Sequence, residues 1–142
     1  MITHRVLRAD HWPKLYLPLF LEKISAGFPS PAQDYVEQRL DLNEFCVKRP
    51  AATYFVRVAG DSMIDAGIYP DDLLVVDRSV TAQSGDIIIA SLNSEFTVKE
   101  LGLNPLRLTP RNQNYQSILI KDTDDFEIFG VVTNVIRTIK RR

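Results

Sequence analysis

From Tyr54 onward the chain alternates short runs rich in β-branched and aromatic residues with clusters of glycine, proline, asparagine and aspartate. The runs are Tyr54–Val58, Leu73–Asp77, Asp86–Leu92, Glu95–Leu101, Leu106–Thr109, Ser117–Ile120 and Phe126–Ile139. Short strands at such spacing, with no long helical period between them, predict a mainly β domain of antiparallel sheets packed as a partly open barrel. Ile87-Ile88-Ile89-Ala90 is apolar at every position, which predicts a central strand covered on both faces. Asn93-Ser94 supplies a hairpin turn into the following strand. The last run, Phe126–Ile139, is long and apolar enough to close the sheet and to offer an edge for self-pairing, so a homodimer is expected.

Residues 1–31 follow another pattern. Pro13, Pro18, Pro29 and Pro31 break any long helix, and the apolar cluster Leu15-Tyr16-Leu17-Pro18-Leu19-Phe20-Leu21 lies among them. This predicts an extended N-terminal arm, residues 1–31, ahead of a β-rich domain at residues 32–142. Such an arm adds to a sheet edge through main-chain hydrogen bonds, with alternate apolar side chains filling pockets. Between arm and sheet, Tyr35, Val36, Leu40, Leu42 and Phe45 mixed with charged residues suggest a short helical or irregular segment that Pro50 ends.

A secretory signal is the rival reading of the arm. Its apolar run is short and contains Pro18, and Glu22 and Lys23 separate it from the small-residue pair Ser25-Ala26, so export is not expected. Ala26-Gly27 remains as an exposed small-residue peptide bond.

Composition narrows the picture. A chain of 142 residues holds one core and an arm, and a net charge of −1 lacks the basic excess of a dedicated nucleic-acid binder. Lys140-Arg141-Arg142 reads as a solvated tail. Cys46 is the single cysteine, which forbids an intrachain disulfide, suits a reducing cytosol, and beside Phe45 and Val47 reads as a packed hydrophobe. Two histidines and one cysteine make no zinc constellation, no cofactor is expected, and no apolar stretch reaches membrane-spanning length.

The candidate chemistry lies in Val58-Ala59-Gly60-Asp61-Ser62-Met63 and in Glu95-Phe96-Thr97-Val98-Lys99. Ser62 follows a glycine at the end of a β run and precedes the apolar pair Met63-Ile64, a context that presents its hydroxyl outward; Gly-Asp-Ser is also a common plain turn. A serine needs a neighbouring base, and His4 and His11 both fall in the polar N-terminal segment, which leaves lysine. An ordinary lysine, with a pKa of about 10.4, must lose roughly 3 units, on the order of 4 to 5 kcal/mol, and burial in an apolar pocket supplies that. Lys99 is the best placed, since period two puts Thr97, Lys99 and Leu101 on one strand face; a surface lysine whose stem runs along the strand is the alternative. The backbone N–H groups of Asp61 and Ser62 are candidate oxyanion donors.

These residues carry a resemblance. Tyr54 through Asp65 (YFVRVAGDSMID), Asp71 through Asp77 (DDLLVVD), Gly85-Asp86-Ile87-Ile88, Phe96-Thr97-Val98-Lys99 and Phe129-Gly130-Val131-Val132 resemble the LexA/UmuD class of self-cleaving Ser-Lys peptidases over residues 26 to 138. Phe28 to Ala32 and Asp34 to Asn43 are similar to its UmuD branch, accessory subunits of an error-prone SOS polymerase. The resemblance implies a nucleophile at Ser62, a general base at Lys99, and a scissile bond between Ala26 and Gly27. It also implies a dimer, stimulation of the cut by a RecA nucleoprotein filament, and a UmuC-type polymerase partner. Residues 1–14 depart from that branch.

Three rivals are weighed. A LexA-like or phage repressor carries a DNA-binding domain before the cut, and 26 residues interrupted by prolines are too few for a helix-turn-helix. A signal peptidase calls for a membrane span. A non-catalytic accessory domain with a relic serine is compatible with the motif alone.

Overall fold

The computed structural model describes residues 13–21, 23–28 and 37–140. His4, His11, the arm boundary expected at residue 31, and Arg141 and Arg142 of the basic tail lie outside the described residues. The chain divides into two compact units, Met1–Pro50 and Ala51–Arg142.

In the first unit β1 (Leu17–Phe20) pairs antiparallel with β2 (Glu37–Leu40), with Leu17 opposite Leu40 and Phe20 opposite Glu37. The arm is extended at this point and pairs as a strand, with its side chains from Leu17 to Phe20 exposed. Glu37–Leu40 corrects the expectation of a helical or irregular segment: it is a strand, followed directly by the one-turn helix α1 (Leu42–Cys46). Asp41, buried, caps that helix by accepting from Glu44 N at 3.2 Å and ties down the arm by accepting from Leu15 N at 2.8 Å. The Leu15 amide, then that of Glu44, holds the Asp41 carboxyl below the usual carboxylate range. Arg39 donates to the Tyr16 carbonyl at 2.8 Å, and Tyr16 Oη donates to Glu44 at 3.0 Å. Ala26 and Gly27 lie exposed in the connection between the two strands.

The second unit is a seven-stranded, wholly antiparallel sheet that does not close. Its strands are β3 (Thr53–Arg57), β4 (Leu73–Asp77), β5 (Ile87–Leu92), β6 (Glu95–Gly102), β7 (Arg107–Thr109), β8 (Ile118–Leu119) and β9 (Phe126–Ile136), in the order β3-β4-β9-β5-β6-β7-β8. All seven predicted runs form strands, so the expected open, mainly β architecture stands. β5 is central, as its composition implies: Ile88 and Ala90 enter one hydrophobic core with Leu101, Leu108 and Val131, while Ile89, on the opposite face, joins Val58, Met63, Ile68, Leu74 and Val76 in another. Asn93 and Ser94 both take positive φ, +50° and +70°, the geometry of a tight hairpin turn.

β9 departs from expectation. It ends at Ile136 and lies inside the sheet order instead of closing it from an edge. Its first half pairs with β5, from Phe126 to Val131, and its second half with β4, from Val131 to Ile136. Register shifts leave Phe129 and Thr133 as extra residues on β9, and such bulges bend a strand and increase its twist. Where the halves meet, a Cβ on Gly130 would stand 2.6 Å from Val76 Cγ1, so glycine is what lets β4 come this close. Among the described residues no strand pairs with the other side of Val132–Ile136. The end of β9 is anchored by Arg137, whose guanidinium makes two bonds of 2.7 and 2.6 Å to buried Asp72 and a third of 2.8 Å to the Gly67 carbonyl.

Candidate active site

β3 runs out at Arg57, and the chain turns sharply at Gly60, whose φ of +83° favours glycine. Asp61 to Ile64 form a turn closed by a 3.3 Å bond from Ile64 N to the Asp61 carbonyl. Met63, 2% exposed, drives into the core next to Val58 and fixes the turn from below, leaving Ser62 half-buried above it. The apolar pair after the serine thus works as an anchor.

β6 brings Lys99 to this turn. Its Nζ lies 3.2 Å from Ser62 Oγ, 2.7 Å from Thr97 Oγ1 and 3.0 Å from the Val98 carbonyl, donating to all three as an ammonium. Thr97 and Lys99 share a strand face, as period two requires, and the next residue on that face, Leu101, is buried in the core. Burial pushes the Lys99 amine below the usual lysine range. A neutral amine has two N–H groups. With those on Thr97 Oγ1 and the Val98 carbonyl, its lone pair is left for the Ser62 hydroxyl proton.

The pair opens into a cleft of about 230 Å³ whose walls include Val56, Val58, Met63, Phe96 and Val98. Among the described residues no hydrogen bond engages the backbone N–H groups of Asp61 and Ser62. The arrangement therefore combines a hydroxyl, a desolvated amine, two amides unbonded among the described residues and a small cleft of mixed polar and apolar lining, the parts needed for acyl transfer. Ala26 and Gly27 belong to the other unit. Thr97 lies on the strand face that period two predicts and accepts from Lys99, while Asn112 and Tyr115 bind the serine turn from a later loop that no local sequence pattern marks.

The Peptidase S24-like family model matches residues 18–133. The chain belongs to that family. S24-like proteins are self-cleaving serine peptidases. Protein MucA of Salmonella typhimurium is 52% identical over 120 residues, covering 83% of this chain and 82% of its own length. Protein SamA of Salmonella typhimurium strain LT2 is 51% identical, covering 84% of each. Both are UmuD-family proteins, so the resemblance read from the motifs holds. LexA repressor of Alcanivorax borkumensis is 38% identical over 136 residues, spanning 94% of this chain and 65% of that protein. Among the described residues no helix is long and apolar enough to cross a membrane.

Proposed function

We propose that this S24-like chain is a cytosolic SOS-mutagenesis protein that cuts its own arm between Ala26 and Gly27, with Ser62 as nucleophile and Lys99 as neutral base. The observation that carries the reading is the 3.2 Å approach of a desolvated Lys99 amine to the Ser62 hydroxyl. Ser62 Oγ bonds to the Ala26 carbonyl carbon as its proton passes to Lys99 Nζ. The C–N bond to Gly27 then breaks, and Nζ returns the proton to the leaving amine. Water, deprotonated by the same amine, opens the Ala26 ester, leaving a carboxylate and restoring Ser62. The N–H groups of Asp61 and Ser62 stabilise the oxyanion.

The arm is gated. A bond held permanently at Ser62 would be cut at once, so Ala26-Gly27 visits the cleft part of the time, and a RecA nucleoprotein filament accelerates the cut by favouring the engaged state. The processed form, residues 27–142, is a homodimer that joins a UmuC-type translesion polymerase. Similarity to MucA and SamA over more than four-fifths of their length supports this assignment over a repressor, and the side of Val132–Ile136 left unpaired among the described residues offers an edge for self-pairing.

Incubating the purified chain at alkaline pH tests the reading. The wild type yields a fragment beginning at Gly27 and Ser62→Ala yields none; a Gly27 fragment from the alanine variant overturns it.

A further inference from the structure

The turn that carries Ser62 is gripped from outside by the loop between β7 and β8. Asn112, 8% exposed, donates through Nδ2 to the Asp61 carbonyl at 2.9 Å, and its Oδ1 accepts from Asn114 N at 3.0 Å. Tyr115 Oη donates to Asp61 Oδ1 at 2.6 Å. Two bonds donated by main-chain N–H groups complete the grip, Asp65 N to the Arg111 carbonyl at 2.8 Å and Arg111 N to the side-chain Met63 Sδ at 3.4 Å. Arg111 is itself tied to Glu100, the neighbour of Lys99 on β6, at 2.5 Å.

The Asp61 carbonyl and the Ser62 N–H belong to one peptide plane. A trans peptide points its C=O and its N–H in opposite directions, so whatever fixes the carbonyl fixes the amide. The turn's own bond to that carbonyl, from Ile64 N, is long at 3.3 Å; the Asn112 bond is the shorter of the two. Tyr115 holds the side chain of the same residue, which resists rotation of the plane. We infer that Asn112, supported by Tyr115, is a positioning residue that aims the Ser62 amide at the oxyanion.

This inference rests on the self-cleavage reading, and its test separates the two. Asn112→Asp removes the donor to Asp61 while keeping the acceptor for Asn114 N, and Tyr115→Phe removes one hydroxyl from an exposed ring. Removing a comparable oxyanion donor costs about 10²- to 10³-fold in rate, and misaiming one costs a fraction of that. The expected result is a fall of about tenfold or more in the high-pH plateau for Asn112→Asp and about threefold for Tyr115→Phe. Tyr115→Phe leaves the pH midpoint in place, because Lys99 keeps its surroundings. In the ¹⁵N spectrum the Ser62 amide resonance moves in Asn112→Asp.

A folded Asn112→Asp variant that cleaves at the wild-type plateau overturns the proposal, as does an unmoved Ser62 amide. Should Asn112→Asp fail to fold, Tyr115→Phe decides, and a wild-type plateau there overturns it. A moved amide in a chain whose wild type never cleaves supports the positioning contact and defeats the self-cleavage reading instead.

Discussion

A half-buried amine is a poor cation, and among the described residues no ion pair joins Lys99 to a carboxylate. Its folded-state pKa therefore lies below that of the unfolded chain, with two consequences of definite sign. On the proposed mechanism self-cleavage is expected to rise with pH through the folded-state pKa and to level off above it, because only the deprotonated amine accepts the serine proton. Lys99→Arg is expected to be inactive across that range, since guanidinium keeps its charge. Folding stability, too, increases with pH between the depressed folded value and the ordinary lysine value, the window in which the unfolded chain binds more protons. Comparing the thermal midpoints of wild type and Lys99→Met across that window checks this: the burial penalty is present in the wild type below it and fades toward its upper end. Ser62 and Lys99 were legible in the sequence because each sits in a local pattern, a glycine turn before an apolar anchor and a lysine at period two from Leu101. Asn112 and Tyr115 were not. Their partner is some fifty residues earlier in the chain, and nothing local marks an asparagine as facing a distant carbonyl.

Among the elements, strand identity was readable and strand neighbourhood was not. The continuous apolar run of β5 announces two covered faces, and the structure gives it two cores. Glu37–Leu40 is not legible as a strand because one in a two-stranded sheet with little buried face has no reason to alternate. β9 was seen as long and apolar, yet its division between two partners depends on the bulges at Phe129 and Thr133 and on the room left by Gly130, none of which follows from hydropathy. What holds the end of this strand is chemically specific. The Arg137 guanidinium, followed by the Tyr69 amide, keeps the Asp72 carboxyl below the usual carboxylate range against the cost of burial. Arg137→Ala leaves a buried carboxylate with one backbone donor among the described residues and is expected to lower the urea midpoint clearly, by less than a fully buried pair would because Arg137 is itself partly exposed. Urea unfolding at neutral pH measures this. The sign with pH follows from the depressed pKa: the pair's contribution is present above the ordinary carboxylate range and is lost as pH falls through the folded value, so the gap between wild type and variant narrows in acid.

For the molecule as a whole, the placement of the proposed cut within the β1–β2 connection separates chemistry from contact. Hydrolysis at Ala26-Gly27 breaks none of the hydrogen bonds that hold the arm, neither the β1–β2 ladder nor those from Leu15, Tyr16 and Arg39. What changes is the concentration at which β1 meets β2. As one chain, the two strands see each other at an effective concentration on the order of millimolar; as two pieces, only at the concentration of the solution. A short two-stranded ladder is marginal by itself, so the cut arm stays bound in a concentrated sample and departs on dilution to about micromolar. Titrating a synthetic peptide of residues 1–26 into a chain beginning at Gly27 is expected to restore pairing with a dissociation constant nearer millimolar than nanomolar, weakened further by Asp41→Ala; nanomolar binding would contradict this. Cleavage then acts as a dilution step confined to one peptide, and the abundance of the protein in the cell sets how completely the arm is shed.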